Sequence, residues 1–214
     1  MADRSGGAGR PGLSASRFRE IALEAVLIVF AVLAALAAQE WWDDLERHKR
    51  AQEALVAVQG ELERNLREIE DNAAENDSSS ALIERALSEG SIAGSDLGFS
   101  ISLLRSDVWE ASQVTGATQA LDLEWIARVS QIYGVQEIFL VQQDRMIQAF
   151  ADYITLAPAG GPRATEALRL LQTQLLFTFQ FQCNLIAGYE FLLEELESGE
   201  LDEVPLTERM EGIC

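Results

Sequence analysis

Residues 21–38, IALEAVLIVFAVLAALAA, decide how this chain is read. These eighteen residues carry one charge, Glu24, and as a helix at about 1.5 Å per residue they reach roughly 27 Å, close to the hydrocarbon thickness of a bilayer. Trp41 and Trp42 follow at once, where half-polar indole rings settle at the headgroup level. The expectation is a transmembrane helix over residues 21–42. A cleaved signal peptide shares the plan of arginines, apolar run and small residues (Ala35, Ala37, Ala38), but its apolar region usually runs about 7 to 15 residues. A retained anchor is therefore expected.

Glu24 lies about one turn inside the N-terminal end of the span. A carboxylate in lipid is costly, so it points either to a polar partner on another membrane helix or to local relief by Arg17 and Arg19 at the interface. Ala31 and Ala35, like Ala34 and Ala38, have the small-xxx-small spacing that lets a second helix approach. The expected partners are the lipid bilayer and either another membrane protein or further copies of the chain.

The formal net charge is −19, and its distribution sets the orientation. Residues 1–20 hold Arg4, Arg10, Arg17 and Arg19 against Asp3 and Glu20, a net of +2, which leaves −21 on the other 194 residues. Basic residues stay on the cytoplasmic side, so the N-terminus is expected inside a bacterial inner membrane and residues 43–214 on the periplasmic side. So acidic a body repels phosphate and excludes nucleic-acid binding. The two cysteines, Cys183 and Cys214, form no disulfide framework, and no stable bridge is expected between a cysteine in an apolar helix and one ending an acidic tail.

No proline occurs between Pro11 and Pro158, so long helices are permitted. After Trp42, Ala51, Leu55, Val58, Leu62, Leu66 and Ile69 recur at spacings of four and three, one apolar face of a helix continuous with the span. Asn76 to Ser80 predict a turn, followed by a shorter helix over residues 81–87 and a loop at GSIAGSDLGFS. Asp107 is expected to cap a short helix ended by Gly116, and Asp122 a second one running to about Ile154 with Trp125, Ile126, Val129, Ile132 and Tyr133 on its apolar face. LAPAGGP forces a reversal, and a last helix over residues 164–197 carries Leu168, Leu171, Leu175, Phe179, Leu185, Tyr189 and Leu193. The fold class is all-α: a disordered basic tail (1–20), the membrane helix, an elongated antiparallel helical bundle (43–199) with coiled-coil-like packing, and an acidic tail (200–214).

Two stretches resemble a large uncharacterised bacterial family of short membrane-anchored proteins. In the first, Glu24, the aliphatic run over residues 25–38, Gln39, Glu40 and Trp41 match a pattern of glutamate, aliphatic span and polar patch with tryptophan; Leu23 replaces the family's glycine. In the second, Trp109, Thr115-Gly116, Leu121, Ile126, Ile132 and Tyr133 are similar to its aromatic residue, Ser/Thr-Gly pair and aliphatic helix ending in tyrosine. The resemblance implies topology and fold, and no activity.

The sequence carries no catalytic or metal-binding motif. His48 is the sole histidine, beside Lys49 and Arg50, and reads as a solvated juxtamembrane residue. Glu68 with Glu70, and Glu194 with Glu195, lack the Glu-x-x-His pairing of bundle metal sites and read as surface. GGAGRPG lacks the Lys-Ser/Thr of a phosphate loop. Phe177, Phe179 and Phe181 alternate on a helix, which predicts core on one side and a contact surface on the other. The expectation is no enzyme and no cofactor: a membrane-anchored interaction or scaffold protein, with a sensor-like ligand-binding bundle as the alternative. With about twenty residues before the span, such a sensor would signal through a partner membrane protein.

Overall fold

A computed structural model describes residues 15–89 and 97–198. The elements are α1 (Ala15–Glu89), α2 (Asp107–Val114), a 3-10 turn (Ala117–Ala120), α3 (Leu123–Leu156), a second 3-10 turn (Ala157–Ala159) and α4 (Gly161–Ser198). Among the described residues there is no strand. The acidic tail and residues 1–14 lie outside the described residues; residues 15–20, expected to be disordered, already belong to α1.

The expected turn at Asn76 to Ser80 does not form, and α1 runs through it. Short polar side chains break helices by competing for nearby backbone groups. Here Asn76 and Ser79 are instead engaged by residues far along the chain, Ser100 and Gly98. Further on, Asp122 accepts from the amides of Glu124 (2.7 Å) and Trp125 (3.4 Å) and starts α3. The reversal after α3 uses Gly160 and Gly161 at φ 61° and 81°, a region that favours glycine.

The chain divides at Lys49 into two compact units, residues 1–48 and 49–214. In the first, one helix is long and apolar enough to cross a membrane, and none of its apolar window is buried. Arg47 donates to Glu40 and Asp44, both at 3.3 Å, and the exposed His48 ring nitrogen lies 2.9 Å from the Asp44 carbonyl.

The second unit has two hydrophobic cores. Val58, Leu62 and Ile69 of α1 meet Trp109, Trp125, Val129, Ile132, Phe139, Leu185 and Leu192 in one; Ile83 and Ala86 meet Met146, Tyr153, Leu168, Leu171 and Leu175 in the other. These are the α1 and α3 stripes expected from periodicity, with Leu55 and Leu66 half-buried at the margin. The α3 to α4 contacts Arg128–Glu195, Tyr189–Gln136 and Gln142–Gln174 run up one helix and down the other.

Three expectations about side chains are corrected. Glu195 is buried, bonded to Arg128, whose other nitrogen reaches Glu124 at 2.7 Å and whose guanidinium lies 5.6 Å from the Phe191 ring centre. Neither Phe177 nor Phe179 is core; they are 54% and 39% exposed, and Phe181 alone of the three packs on it. Cys183, half-buried rather than enclosed in the core, is disulfide-bonded. Cys214, the only other cysteine of the chain, lies outside the described residues.

Candidate functional site

Residues 97–106 have no regular secondary structure and lie against α1 and α3. Buried backbone polar groups need partners, and here no neighbouring strand supplies them. Side-chain amides do so in pairs. Asn76 accepts from Ser100 N (3.1 Å) and donates to its carbonyl (3.4 Å); Gln143 does the same for Ser102 (2.8 and 3.2 Å), and Asn65 for Arg105 (2.9 and 2.8 Å). Glu68 adds an acceptor for Leu103 N at 3.2 Å, and Asn72 donates to the Ser102 hydroxyl at 3.1 Å. Along α1 the contributors Glu61, Asn65, Glu68, Asn72, Asn76 and Ser79 step by four and three, a polar stripe with the period of the apolar one. The segment is thus strapped down by one helix face, with α3 closing the other edge. Glu68, read as surface from sequence, is half-buried because it belongs to this stripe.

The strap ends on Glu61, which is 0% exposed. Its carboxylate accepts from Val108 N (2.9 Å) and Trp109 N (3.3 Å), the open first turn of α2, and from the Tyr133 hydroxyl (2.6 Å). The N-cap residue Ser106 makes no side-chain cap, so Glu61 does this from another helix, an anion at the positive end of α2. Beside it Tyr189 donates to Gln136 Oε1 (2.6 Å), and Gln136 donates to the Arg105 carbonyl (3.1 Å). Burial, then the bond to Glu61 and its charge, raise the Tyr133 pKa far above its ordinary value; burial chiefly, and the Glu61 charge to a lesser extent, raise that of Tyr189 against a side-chain hydrogen bond with Asn65 that lowers it. Both phenols are fixed donors, and the group is built to hold structure rather than to exchange protons with solvent.

The residues singled out in the middle of the sequence meet at this site. The Trp109 ring stacks on Tyr133 (centres 5.8 Å, planes 4° apart) and meets Trp125 edge-on (6.2 Å, 74°). Thr115 closes α2, its hydroxyl donating to the Ala111 carbonyl, and Gly116 turns the chain at φ 70°. Glu24, Ala31, Ala35, Trp41 and Trp42 lie in the first unit, all exposed; the open groove there is lined by Ala25, Val26, Val29, Phe30 and Leu33 and by neither Ala31 nor Ala35. Among the described residues no group of three or more His, Cys, Asp or Glu is placed to hold a metal ion.

No family model, curated protein or solved structure matches this chain. Its reading therefore rests on its own residues. Sequence reasoning missed Glu61, Asn65, Gln136, Gln143 and Tyr189 as a group. The available signal was the polar stripe, which apolar counting passes over.

Proposed function

We propose that this protein is a single-pass, membrane-anchored helical interaction protein, with its N-terminus in the cytoplasm and residues 43–199 displayed as an elongated antiparallel bundle on the far side of a bacterial inner membrane. The observation that carries the reading is the contrast within α1: its apolar stretch is wholly uncovered, while residues 49–198 have cores of their own. Apolar side chains over some five turns need a nonpolar surrounding, and lipid supplies it. Trp41 and Trp42, both exposed, suit the headgroup belt. The disulfide at Cys183 suits an oxidising compartment, which supports the orientation drawn from the arginines. The resemblance carried by Glu24 to Trp41 and by Trp109 to Tyr133 belongs to the same proposal.

Within the bilayer, Glu24, Ala31 and Ala35 are the proposed contacts to another membrane helix. Alkaline washing of membranes, followed by intact mass of the retained protein, tests the anchor. The expected result is full-length chain in the pellet; a soluble product cut after residue 38 would overturn it.

The second reading, a ligand-binding bundle, is favoured by one observation. Gln182 is 1% exposed, yet among the described residues neither polar atom of its amide has a hydrogen-bond partner. Such an amide is costly unless something meets it. Heteronuclear NMR shifts of a labelled Gln182 amide on addition of native small-molecule extracts would support that reading; an unmoved signal would leave the interaction reading alone.

A further inference from the structure

We propose that the outer face of α4 over residues 183–198 is the docking surface of the chain's own C-terminal segment, residues 199–214, held there by a Cys183–Cys214 disulfide. The inference goes beyond the interaction reading and does not depend on it, since every residue it uses lies between Arg128 and Cys214. Cys183 is disulfide-bonded, and a chain of two cysteines offers it one partner, Cys214, which lies outside the described residues. α4 ends at Ser198, roughly 22 Å along the helix axis from Cys183 at about 1.5 Å per residue. Residues 199–214 extend over up to roughly 50 Å, so they reach back with length to spare. To bring Cys214 to Cys183 the chain must reverse after α4 and return along the last turns of that helix.

The burial pattern of α4 fits that path. At about 100° per residue, Ala187 points about 160° away from Leu185, which lies in the core. A side chain on that outer side should be open to solvent. Thr173 and Gln180, earlier on the same face, are exposed, and so is Leu176 at 57%. Ala187 is nevertheless only 6% exposed, although it belongs to neither hydrophobic core. One turn to either side of it Cys183 is half-buried and Phe191 is buried. The outer face is thus open as far as Gln180 and covered along the line of Cys183, Ala187 and Phe191. Phe191, Glu194, Glu195 and Ser198, and Arg128 beside them, each make further interactions, and a segment returning from Ser198 to Cys183 passes all of them.

The composition of the segment suits the role and explains the bond. GELDEVPLTERMEGIC carries Leu201, Val204, Leu206, Met210 and Ile213, apolar groups able to cover Ala187 and Phe191. Against these stand Glu200, Asp202, Glu203, Glu208 and Glu211 with Arg209 as the sole base, returning along a helix end that already exposes Glu190, Glu194 and Glu197. Like charges oppose the contact, so apolar cover alone holds it weakly. A covalent bond at the far end keeps the segment at high effective concentration on the face. While the bond is intact, this face of α4 is closed to other helices.

The first test takes the full chain from native cells, alkylates its thiols without reduction, digests it and weighs the peptides. Expected is a peptide pair joining Cys183 to Cys214 in protein that runs as a monomer without reductant. A Cys183 to Cys183 dimer, a bond to another polypeptide, or two alkylated thiols overturns the proposal. Docking is read separately, by a photoreactive diazirine amino acid in place of Met210 in the full chain. Expected is an adduct within residues 183–198 of the same chain; an adduct elsewhere, or none to polypeptide, overturns the proposal. Cys214→Ser changes only the last residue and leaves the helices intact, and it should lower the adduct yield by about tenfold, as the far end of the segment is freed. A yield equal to that of the bonded chain would show docking without the bond and overturn the proposal as well.

Discussion

Replacing Glu61 by Gln keeps the shape of the side chain and removes one acceptor and the charge. The carboxylate accepts three bonds, from Val108 N, Trp109 N and Tyr133 Oη, at 2.9, 3.3 and 2.6 Å. Hydrogen bonds to a charged group contribute about 1.5–3 kcal/mol each, and a buried donor left without a partner costs about 1–3 kcal/mol. The amide retains one oxygen for one or two donors and turns its NH₂ toward the remainder. Against this stands the desolvation of the carboxylate, which the substitution relieves. The net expectation is a loss of about 2–4 kcal/mol. Tyr133→Phe removes only one donor and should cost about 1–2 kcal/mol. The double variant should fall short of the sum by about 1 kcal/mol or more, because both changes break the same bond. Urea unfolding of the full chain in micelles, followed by fluorescence of Trp109 and Trp125 at the site, gives all three values. A Glu61→Gln protein within about 0.5 kcal/mol of wild type would refute the claim that this carboxylate holds α2 in place.

Two further outcomes follow from the same geometry. Tyr133, Tyr153 and Tyr189 all have pKa values raised by burial, so the folded state binds protons more tightly than the unfolded chain. The stability this gives is fully present below about pH 10, the ordinary tyrosine value, and is lost as pH rises above it. Absorbance at 295 nm should show tyrosinate from Tyr133 and Tyr189 appearing only with unfolding; a reversible titration of all three near pH 10 in folded protein would contradict the buried network. Gly116→Ala should cost about 1–2 kcal/mol in the same urea assay, because φ is +70° and the added Cβ would sit 2.9 Å from the Gln119 amide nitrogen; a neutral effect would show that the turn relaxes freely.

Much of the helical layout was legible because it rests on local chemistry. The apolar stripe from Ala51 to Ile69, the cap at Asp122 and the reversal at LAPAGGP each need only neighbouring residues, and each appears in the structure. What failed depends on partners distant in sequence. Asn76 and Ser79 look like turn residues until Ser100 and Gly98 are brought to them. Glu195 looks like surface until Arg128 lies beside it, 67 residues away. Phe179 fits the apolar stripe of α4, yet the true core register passes through Thr178 and Gln182, so polar residues occupy core positions and aromatic ones face out. At the candidate site Trp109 and Tyr133 entered the sequence reading through the family resemblance, and Tyr133 also through the apolar face of α3; their shared partner Glu61 was hidden in a charged helical run.

The most direct test of the account is the side of the membrane on which residues 49–214 lie. A reporter active only after export, fused behind Cys214 of the full chain, should be active, and a reporter that works only in the cytoplasm should be silent at the same position. The reverse pattern would contradict the orientation, remove the oxidising setting for the Cys183 disulfide and end the account as stated.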